Sequence, residues 1–188
     1  MSAPEELPDV VRRALDLSRR RGFVTSSRLE TGRLLAALAA SRDGRLGECG
    51  TGCGVGAAWL STAAREGSTV VTAELDPELA EVVAELFHDD PRVRVITGDW
   101  GALRDEGPFS LLFLDVPEAK RSGADDVAEL LEPGGLVVLD DFTPSACWPP
   151  IYQGRVDTVR EAWLTDPRFT TVEVMVTDDA AVLIAAKR

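Results

Sequence analysis

The feature that most constrains the fold is a regular alternation of short apolar segments with helical stretches, which begins near residue 45. The strand-like segments lie near residues 45–49, 69–74, 92–97, 109–115 and 135–140. The helical stretches lie near residues 55–66, 77–88, 122–131 and 155–165. Strands that alternate with helices of about ten or more residues indicate β–α–β units, and therefore a parallel sheet with helices on both faces.

The end of the chain departs from this alternation. Two strand-like segments, 169–177 and 181–186, are separated by only three residues. Such a short connection closes only as an antiparallel hairpin, because a parallel return requires a crossover of about a dozen residues. We therefore predict an α/β fold with a Rossmann-like, mostly parallel, seven-stranded sheet and a C-terminal antiparallel hairpin.

The length of 188 residues favours a single domain over residues 1–188. Within it we expect an N-terminal helical segment over residues 1–42 and a ligand-binding α/β core over residues 43–188. The pattern of residues between the strands shows no linker or internal repeat that would divide this core.

Charge and composition make several classes of partner unfavourable. The chain has 32 acidic and 20 basic residues, a net charge of −12, which disfavours nonspecific binding of nucleic acids. No apolar segment approaches the roughly 20 residues that span a bilayer, and the N-terminus lacks the pattern of a secretory signal. The three cysteines do not form a disulfide framework. We expect a cytoplasmic protein without a nucleic-acid or membrane partner.

The most informative segment is 46–56, LGECGTGCGVG, which follows a strand and leads into a helix. Glycines in such a turn permit positive φ angles and remove Cβ atoms, so that the backbone can approach a ligand closely. The N-terminus of the following helix offers free N–H groups. The segment therefore predicts a nucleotide-binding loop.

Acidic residues follow four consecutive predicted strands. They are Glu74, Asp99, Asp115, Asp140 and Asp141. All of them lie at carboxyl ends of parallel strands, where open α/β sheets bind their ligands. Glu74 comes 22 residues after Gly52, a spacing that suits an acid accepting hydrogen bonds from ribose hydroxyls.

With these motifs the chain resembles the class I S-adenosylmethionine-dependent methyltransferases. The matching residues are Glu48-x-Gly50-x-Gly52-x-Gly54, Glu74, Gly98-Asp99 and the turn Pro133-Gly134-Gly135. Residues 72–77 and the pair Asp140-Asp141 are similar to the small O-methyltransferases of the catechol and caffeoyl-CoA type. The resemblance implies an enzyme that methylates a hydroxyl group of a small phenolic or catechol-like acceptor, in a subfamily whose small members are commonly homodimers.

The resemblance also implies which residues hold S-adenosylmethionine. They are Glu48, Gly50, Thr51, Gly52, Gly54, Glu74, Asp99, Trp100 and Asp115. The glycines would pass beneath the methionine and ribose, Glu48 would steady the loop or the amino group, and Glu74 would hold the ribose. Asp99 would face the adenine amino group, and Trp100 would pack on the adenine ring.

Metal-dependent members of this family place Asp, Asp and Asn around a divalent cation, and the candidates here are Asp115, Asp140 and Asp141. Oxygen ligands suit Mg²⁺. In an unbroken strand two neighbouring aspartates point to opposite faces, so both reach one ion only if the strand breaks there. The usual lysine three residues after the first Asp is replaced by Glu118, and Lys120 is the nearest substitute. We predict Asp115, Asp140 and Lys120 as catalytic residues.

The acceptor pocket is expected to be lined by Asp141-Phe142 and residues 148–152, with residues 25–28 forming the opposite wall. Two other functions remain open from the sequence alone. Gly52-x-Gly54-x-x-Ala57 also fits the loose dinucleotide pattern of an NAD(P)-dependent oxidoreductase. The altered segment 115–120 also fits a non-catalytic module that binds S-adenosylmethionine or S-adenosylhomocysteine.

Overall fold

The computed structural model describes residues 6–23 and 26–188, which form a seven-stranded sheet with helices on both faces and a separate two-stranded ribbon. The strands of the sheet are β1 (Arg45–Cys49), β2 (Thr69–Glu74), β3 (Val93–Thr97), β4 (Phe109–Leu114), β5 (Leu131–Phe142), β8 (Phe169–Met175) and β9 (Ala181–Lys187). The ribbon consists of β6 (Ile151–Tyr152) and β7 (Arg155–Val156). The helices are α1 (Asp9–Arg21), α2 (Leu29–Ala39), α3 (Val55–Ala63), α4 (Pro77–Leu86), α5 (Pro117–Ser122), α6 (Ala124–Leu130) and α7 (Thr158–Thr165).

The strand order in the sheet is β3-β2-β1-β4-β5-β9-β8. Neighbours from β3 to β5 pair in parallel, whereas β9 pairs antiparallel with both β5 and β8. The predicted fold class, including the C-terminal hairpin, is therefore confirmed. Within the described residues, no helix combines the length and the apolar character needed to cross a membrane.

The central strand β4 shows why the sheet is covered on both faces. Its sequence FSLLFL is buried at every position. Because successive side chains of a strand point to opposite faces, Leu111 and Phe113 join the core beneath α1 to α4. Leu112 and Leu114 join the second core, which includes buried side chains of α6 and α7. A continuous apolar run of this kind is typical of a parallel strand buried on both sides.

Three predicted boundaries were wrong. The helix predicted near 122–131 begins at Ala124, because Gly123, with a φ of 89° and a ψ of 174°, separates it from α5, a short helix that was not predicted. Strand β5 begins at Leu131 rather than near 135, because Leu131 pairs with Phe109 ahead of a register shift. The helix predicted from 155 begins at Thr158, because Arg155 and Val156 pair with β6.

A close contact between α2 and α3 brings the residues before α2 to the carboxyl ends of the central strands. A Cβ atom on Gly32 would lie only 2.1 Å from Nε1 of Trp59, so α2 packs against α3 too closely for any side chain at position 32. As a result, Ser26 and Ser27 lie over the glycine loop, where they line a cleft together with Phe23.

Candidate active site

The glycine loop joins β1 to α3 at the carboxyl edge of the sheet, as the sequence predicts. Gly50, Gly52 and Gly54 have φ angles of 93°, 51° and 81°. These left-handed conformations are accessible to glycine without strain. The N–H groups of Gly50 and Thr51 both donate to the Ala73 carbonyl at 3.1 Å, which ties the loop to β2.

Glu74 lies at the end of β2 and holds the loop from the other side. Its Oε2 accepts a hydrogen bond from the N–H of Gly52 at 2.8 Å, and its Oε1 accepts one from the N–H of Asp76 at 3.0 Å. A carboxylate oxygen has two lone pairs, so both oxygens keep the capacity to accept a further hydrogen bond from a ligand hydroxyl.

Glu48 lies beneath the loop, not in the cleft. Its side chain is buried, and Thr72 Oγ1 donates to its Oε2 at 2.6 Å. The Thr72 hydroxyl is in turn hydrogen-bonded to that of Thr51 at 2.6 Å. Burial raises the pKa of Glu48 well above its usual range. Of its two predicted roles, this geometry favours the support of the loop: a Cβ on Gly56 would lie 2.0 Å from Glu48 Oε1.

The loop forms the floor of a cleft of about 390 Å³. It is lined by residues 50–53, 55–56 and 115–117, by Glu74 and Asp141, and by Phe23, Ser26 and Ser27. Of the predicted cofactor-binding residues, Gly50, Thr51, Gly52, Glu74 and Asp115 thus meet in one cavity. Residues 25–28 were predicted to form a wall of the acceptor pocket, but Ser26 and Ser27 line this first cleft instead, and Thr25 lies outside the described residues.

Asp99 and Trp100 lie outside the lining of this cleft. The side chain of Asp99 caps a short 3₁₀ turn by accepting from the N–H of Gly101 at 2.9 Å. Trp100 packs against the second core, and the Arg104 guanidinium lies 5.6 Å from its ring centroid. Their contacts with adenine stay a prediction.

Three carboxylates converge at the ends of β4 and β5. Asp115, Asp140 and Asp141 each offer an oxygen, and these atoms lie within 4.8 Å of one another. The two neighbouring aspartates point to the same place because Asp141 has a φ of 64°. The pairing of β5 with β9 shifts register between Leu139 and Phe142 at the same point. A break of this kind re-aims a side chain at the end of a strand.

We call these three carboxylates the acid cluster; one group just before α2, one within α2 and one from α5 hold it. Ser27 Oγ donates to Asp115 Oδ2, and Thr31 Oγ1 donates to Asp140 Oδ1, each at 3.3 Å. Lys120 Nζ donates to Asp141 Oδ2 at 3.3 Å, and the lysine side chain is only 9% exposed. Lys120, the predicted substitute for a lysine at position 118, therefore lies at the acid cluster.

The electrostatics of the acid cluster are unbalanced, because three carboxylates face one ammonium group. Burial, with the nearby charges of Asp141 and Asp140, raises the pKa of Asp115 from its ordinary value of 3.8 to about 8. Burial also raises the pKa of Asp140. A divalent cation would relieve this repulsion, and carboxylate oxygens at this spacing are the donors that Mg²⁺ and Ca²⁺ prefer. The residues present therefore fit such an ion.

A second cleft of about 390 Å³ lies on the other side of the acid cluster. It shares Pro117 and Asp141 with the first cleft. Phe142 and Tyr152 line it as predicted, whereas Trp148 is 63% exposed and lies outside the lining. The acid cluster and Lys120 thus stand between two cavities, one with a glycine-loop floor and the other with an aromatic wall.

Two functional candidates in the structure, Phe23 and Thr31, were not predicted from the sequence. Phe23 faces Gly52, where a Cβ would meet its ring carbons at 3.0 Å. Thr31 bonds to the acid cluster from within α2. Neither residue belongs to a spaced motif; the available signal was Gly32 inside an otherwise helical segment, which indicates close packing of α2.

A sequence family described as a methyltransferase domain matches residues 48–142, just over half of the chain. A curated relative from Mycolicibacterium vanbaalenii, named "Putative O-methyltransferase", is 31% identical over 118 residues. The aligned part covers 57% of this chain and 52% of that relative, so the chain spans about half the length of the curated relative that it matches.

Solved structures resemble the chain over nearly its whole length. An O-methyltransferase from Bacillus cereus in complex with SAH is 19% identical with a TM-score of 0.77, covering 98% of this chain and 93% of that one. An O-methyltransferase from Streptomyces achromogenes in complex with SAM is 21% identical with a TM-score of 0.75, covering 97% and 91%. At these identities the likeness shows the fold alone.

Proposed function

Because this chain belongs to the methyltransferase domain family, we propose that it transfers the methyl group of S-adenosylmethionine to a hydroxyl group of a small phenolic or catechol-like acceptor. The observation that carries the proposal is the position of the acid cluster and Lys120 between the two clefts. The first cleft has the loop and acid that suit an adenosyl ligand, and the second has the aromatic lining that suits a planar acceptor.

In this proposal the first cleft holds the cofactor. Glu74 accepts hydrogen bonds from the ribose hydroxyls, and the backbone of Gly50 and Gly52 lies against the methionine and ribose part. The side chains of Phe23 and Ser27 cover the cleft from the opposite side. Asp99 and Trp100 are proposed to meet the adenine ring at the open end of the loop.

Methyl transfer to oxygen is a direct displacement. The acceptor oxygen forms a bond to the methyl carbon while the carbon–sulfur bond breaks, and sulfur keeps the electron pair to give S-adenosylhomocysteine. The acceptor hydroxyl also loses its proton. Such a reaction depends mainly on alignment of oxygen, carbon and sulfur and on exclusion of water, and alignment alone can contribute several kcal/mol.

The acid cluster is suited to receive the proton. A carboxyl group whose pKa is raised to about 8, as for Asp115, is a stronger base than an ordinary carboxylate, and the fraction of it that is ionised near neutral pH can accept the proton. Lys120 Nζ, which donates to Asp141, places a positive charge beside the oxygen that becomes negative. Asp140, held by Thr31, completes the wall on the side of α2.

Asp115, Asp140 and Asp141 would also hold a Mg²⁺ ion. A bound divalent cation lowers the pKa of a coordinated hydroxyl group and so promotes its ionisation. Lys120 would then keep Asp141 in place, with its ammonium directed at the same carboxylate.

Four predictions from the sequence complete the proposal. They are a single domain over residues 1–188, a cytoplasmic location, a homodimeric state and the absence of a nucleic-acid partner. The N-terminal helices support the first of these, because α1 and α2 share a core with the helix after the glycine loop.

The proposal is tested by calorimetry followed by a transfer assay. We expect both S-adenosylmethionine and S-adenosylhomocysteine to bind, and methyl-labelled cofactor to label members of a panel of phenols and catechols. Parallel assays with Mg²⁺ and with EDTA show whether transfer needs a cation. Cofactor binding without transfer to any panel member would favour the non-catalytic module. Binding of NADH in place of either ligand would contradict the proposal.

A further inference from the structure

A fully buried arginine stands at the inner end of the second cleft. Arg160 in α7 has no exposed surface and lines this cleft. Its Nη2 donates to the Thr143 carbonyl at 2.6 Å, and its Nη1 donates to Glu173 Oε2 at 3.2 Å. Its Nε lies 3.2 Å from Asp157 Oδ2. A buried guanidinium is costly to remove from water, so its position depends on these partners.

Arg160 and its partner Glu173 both contact the segment 142–145, which follows the acid cluster in the chain. The guanidinium lies 5.1 Å from the centroid of the Phe142 ring, within the range of a cation–π contact. Glu173 in β8 holds the same segment from the other side, because its Oε1 accepts from the N–H of Ser145 at 3.3 Å. We call Arg160, Asp157 and Glu173, together with this segment, the arginine brace.

The segment needs such support because of the residue before it. Asp141 adopts a φ of 64°, a left-handed conformation that costs a non-glycine residue free energy and persists only where its surroundings determine it. If β5 ran on as a regular strand, Asp140 and Asp141 would point to opposite faces and the acid cluster would separate.

We propose that Arg160 is a positioning residue, which keeps Asp141 beside Asp115 and Asp140 by holding segment 142–145. Its effect on catalysis rests on the proposed methyl transfer, whereas its effect on the backbone does not. Arg160 lies in α7 and Glu173 in β8, and neither element provides a group to the reacting atoms themselves. The site therefore includes a buried ion network beside the acceptor cleft.

Two measurements on variants of the full-length chain test the arginine brace. Hydrogen–deuterium exchange reports the backbone of residues 141–146, and steady-state kinetics separate kcat from KM. The variants are Arg160→Met, Arg160→Lys and Glu173→Gln. The control is Arg168→Met, because Arg168 also pairs with two carboxylates, those of Asp166 and Asp125, but on the surface.

For Arg160→Met we expect faster exchange over 141–146, unchanged exchange over the glycine loop, and a kcat lowered about 100-fold, the cost of a misplaced reacting group. The affinity for S-adenosylhomocysteine should stay within about threefold, because Arg160 lies outside the lining of the first cleft. The KM for the acceptor should rise as well, because Arg160 and Phe142 line the second cleft. Arg160→Lys keeps the charge but loses the planar set of donors, so it should restore kcat only in part, to within about tenfold of the unmodified chain. Arg168→Met should change none of these values.

Several outcomes would overturn the inference. Unchanged exchange over 141–146 in Arg160→Met would show that the brace does not hold the segment. Faster exchange with an unchanged kcat would show that the held segment does not serve catalysis. If Arg160→Met does not fold, the same two measurements are made on Glu173→Gln, which keeps Arg160 and Asp157. Faster exchange over 141–146 with a lowered kcat would support the brace, and no change in either would overturn it. If the unmodified chain methylates no acceptor, the proposed function fails while the exchange data still test the brace.

Discussion

The acid cluster makes the stability of this chain depend on pH when no cation is bound. In the folded chain the pKa of Asp115 is raised from 3.8 to about 8, first by burial and then by Asp141 and Asp140. In the unfolded chain its carboxyl group ionises near the ordinary value. Between these two values the folded chain keeps a proton that the unfolded chain has lost. The contribution of Asp115 to stability is therefore fully present below about pH 4 and is lost as the pH rises toward 8.

The size of the effect follows from the shift. One proton of difference between folded and unfolded chains changes the free energy of unfolding by about 1.4 kcal/mol per pH unit. From pH 5 to pH 8 the loss attributable to Asp115 is thus about 3–4 kcal/mol. For a chain of this length it corresponds to a decrease in Tm of roughly 10 °C.

Thermal and urea denaturation in EDTA at pH 5, 6.5 and 8 measure this loss. The variant Asp115→Asn lacks the ionisable group, so it should gain about 3–4 kcal/mol relative to the unmodified chain between pH 5 and pH 8. Asp105→Asn removes an exposed carboxylate outside both clefts and serves as the control. Mg²⁺ at pH 8 should stabilise the unmodified chain and the control far more than Asp115→Asn.

A pH profile of Asp115→Asn that runs parallel to those of the unmodified chain and of Asp105→Asn would refute this reasoning. It would show that the Asp115 carboxyl group ionises in the folded chain as it does in water. An equal response of all three chains to Mg²⁺ would separately refute the assignment of Asp115 as a ligand.

Three further variants test the two clefts. Gly52→Val places a side chain where a Cβ already meets the Phe23 ring at 3.0 Å, so calorimetry should detect no binding of S-adenosylhomocysteine. The control is Gly134→Ala, at a glycine with a φ of 76° and open space around it, which should bind normally. Equal binding by both variants would contradict the proposed position of the cofactor. Glu74→Gln removes a charged acceptor, so the Kd for S-adenosylhomocysteine should rise about 10- to 100-fold, and a Kd within about twofold would exclude a ribose contact. Lys120→Met removes the ammonium beside the acid cluster, and kcat should fall about 100-fold without a change in that Kd; an unaltered kcat would assign the lysine to structure alone.

The parallel strands and the antiparallel hairpin were predictable because the strands carry their own signals. The six consecutive buried residues of β4 are typical of a strand covered on both faces. The connection before β9, three residues as predicted and five in the structure, is too short for anything but a hairpin. The glycine loop and Glu74 were predictable for a similar reason. Both depend on local backbone geometry and on position at a strand end, and the spacing of residues along the sequence indicates both.

The convergence of Asp140 and Asp141 was open from the sequence, because it depends on tertiary contacts. The left-handed Asp141 is accompanied by a register shift against β9, and the segment after it is held by Arg160 from α7. Residues so far apart in the chain leave no periodic signal. Lys120 was predicted as a substitute, but its place on a helix that begins at Pro117 emerges only from the structure.

The roof of the first cleft was the least predictable part. Phe23 was not predicted as a site residue, and Ser27 was predicted only as part of a wall of the acceptor pocket, because the sequence between the first two helices carries no binding motif. They reach the glycine loop because Gly32 allows α2 to pack directly against Trp59. Contacts of this kind depend on how two helices dock, which a single sequence does not specify.

Because the Gly52 amide already donates to Glu74, the floor of the first cleft is shaped by the protein itself and not by a ligand. A surface that is formed beforehand loses little entropy when it is occupied, and under the proposed function it would offer the same fit to the methyl donor and to the demethylated product. In the proposed reaction the choice between these two molecules then falls to the sulfur end. There the negative potential of the aspartates attracts a cationic sulfonium and offers nothing comparable to a neutral thioether.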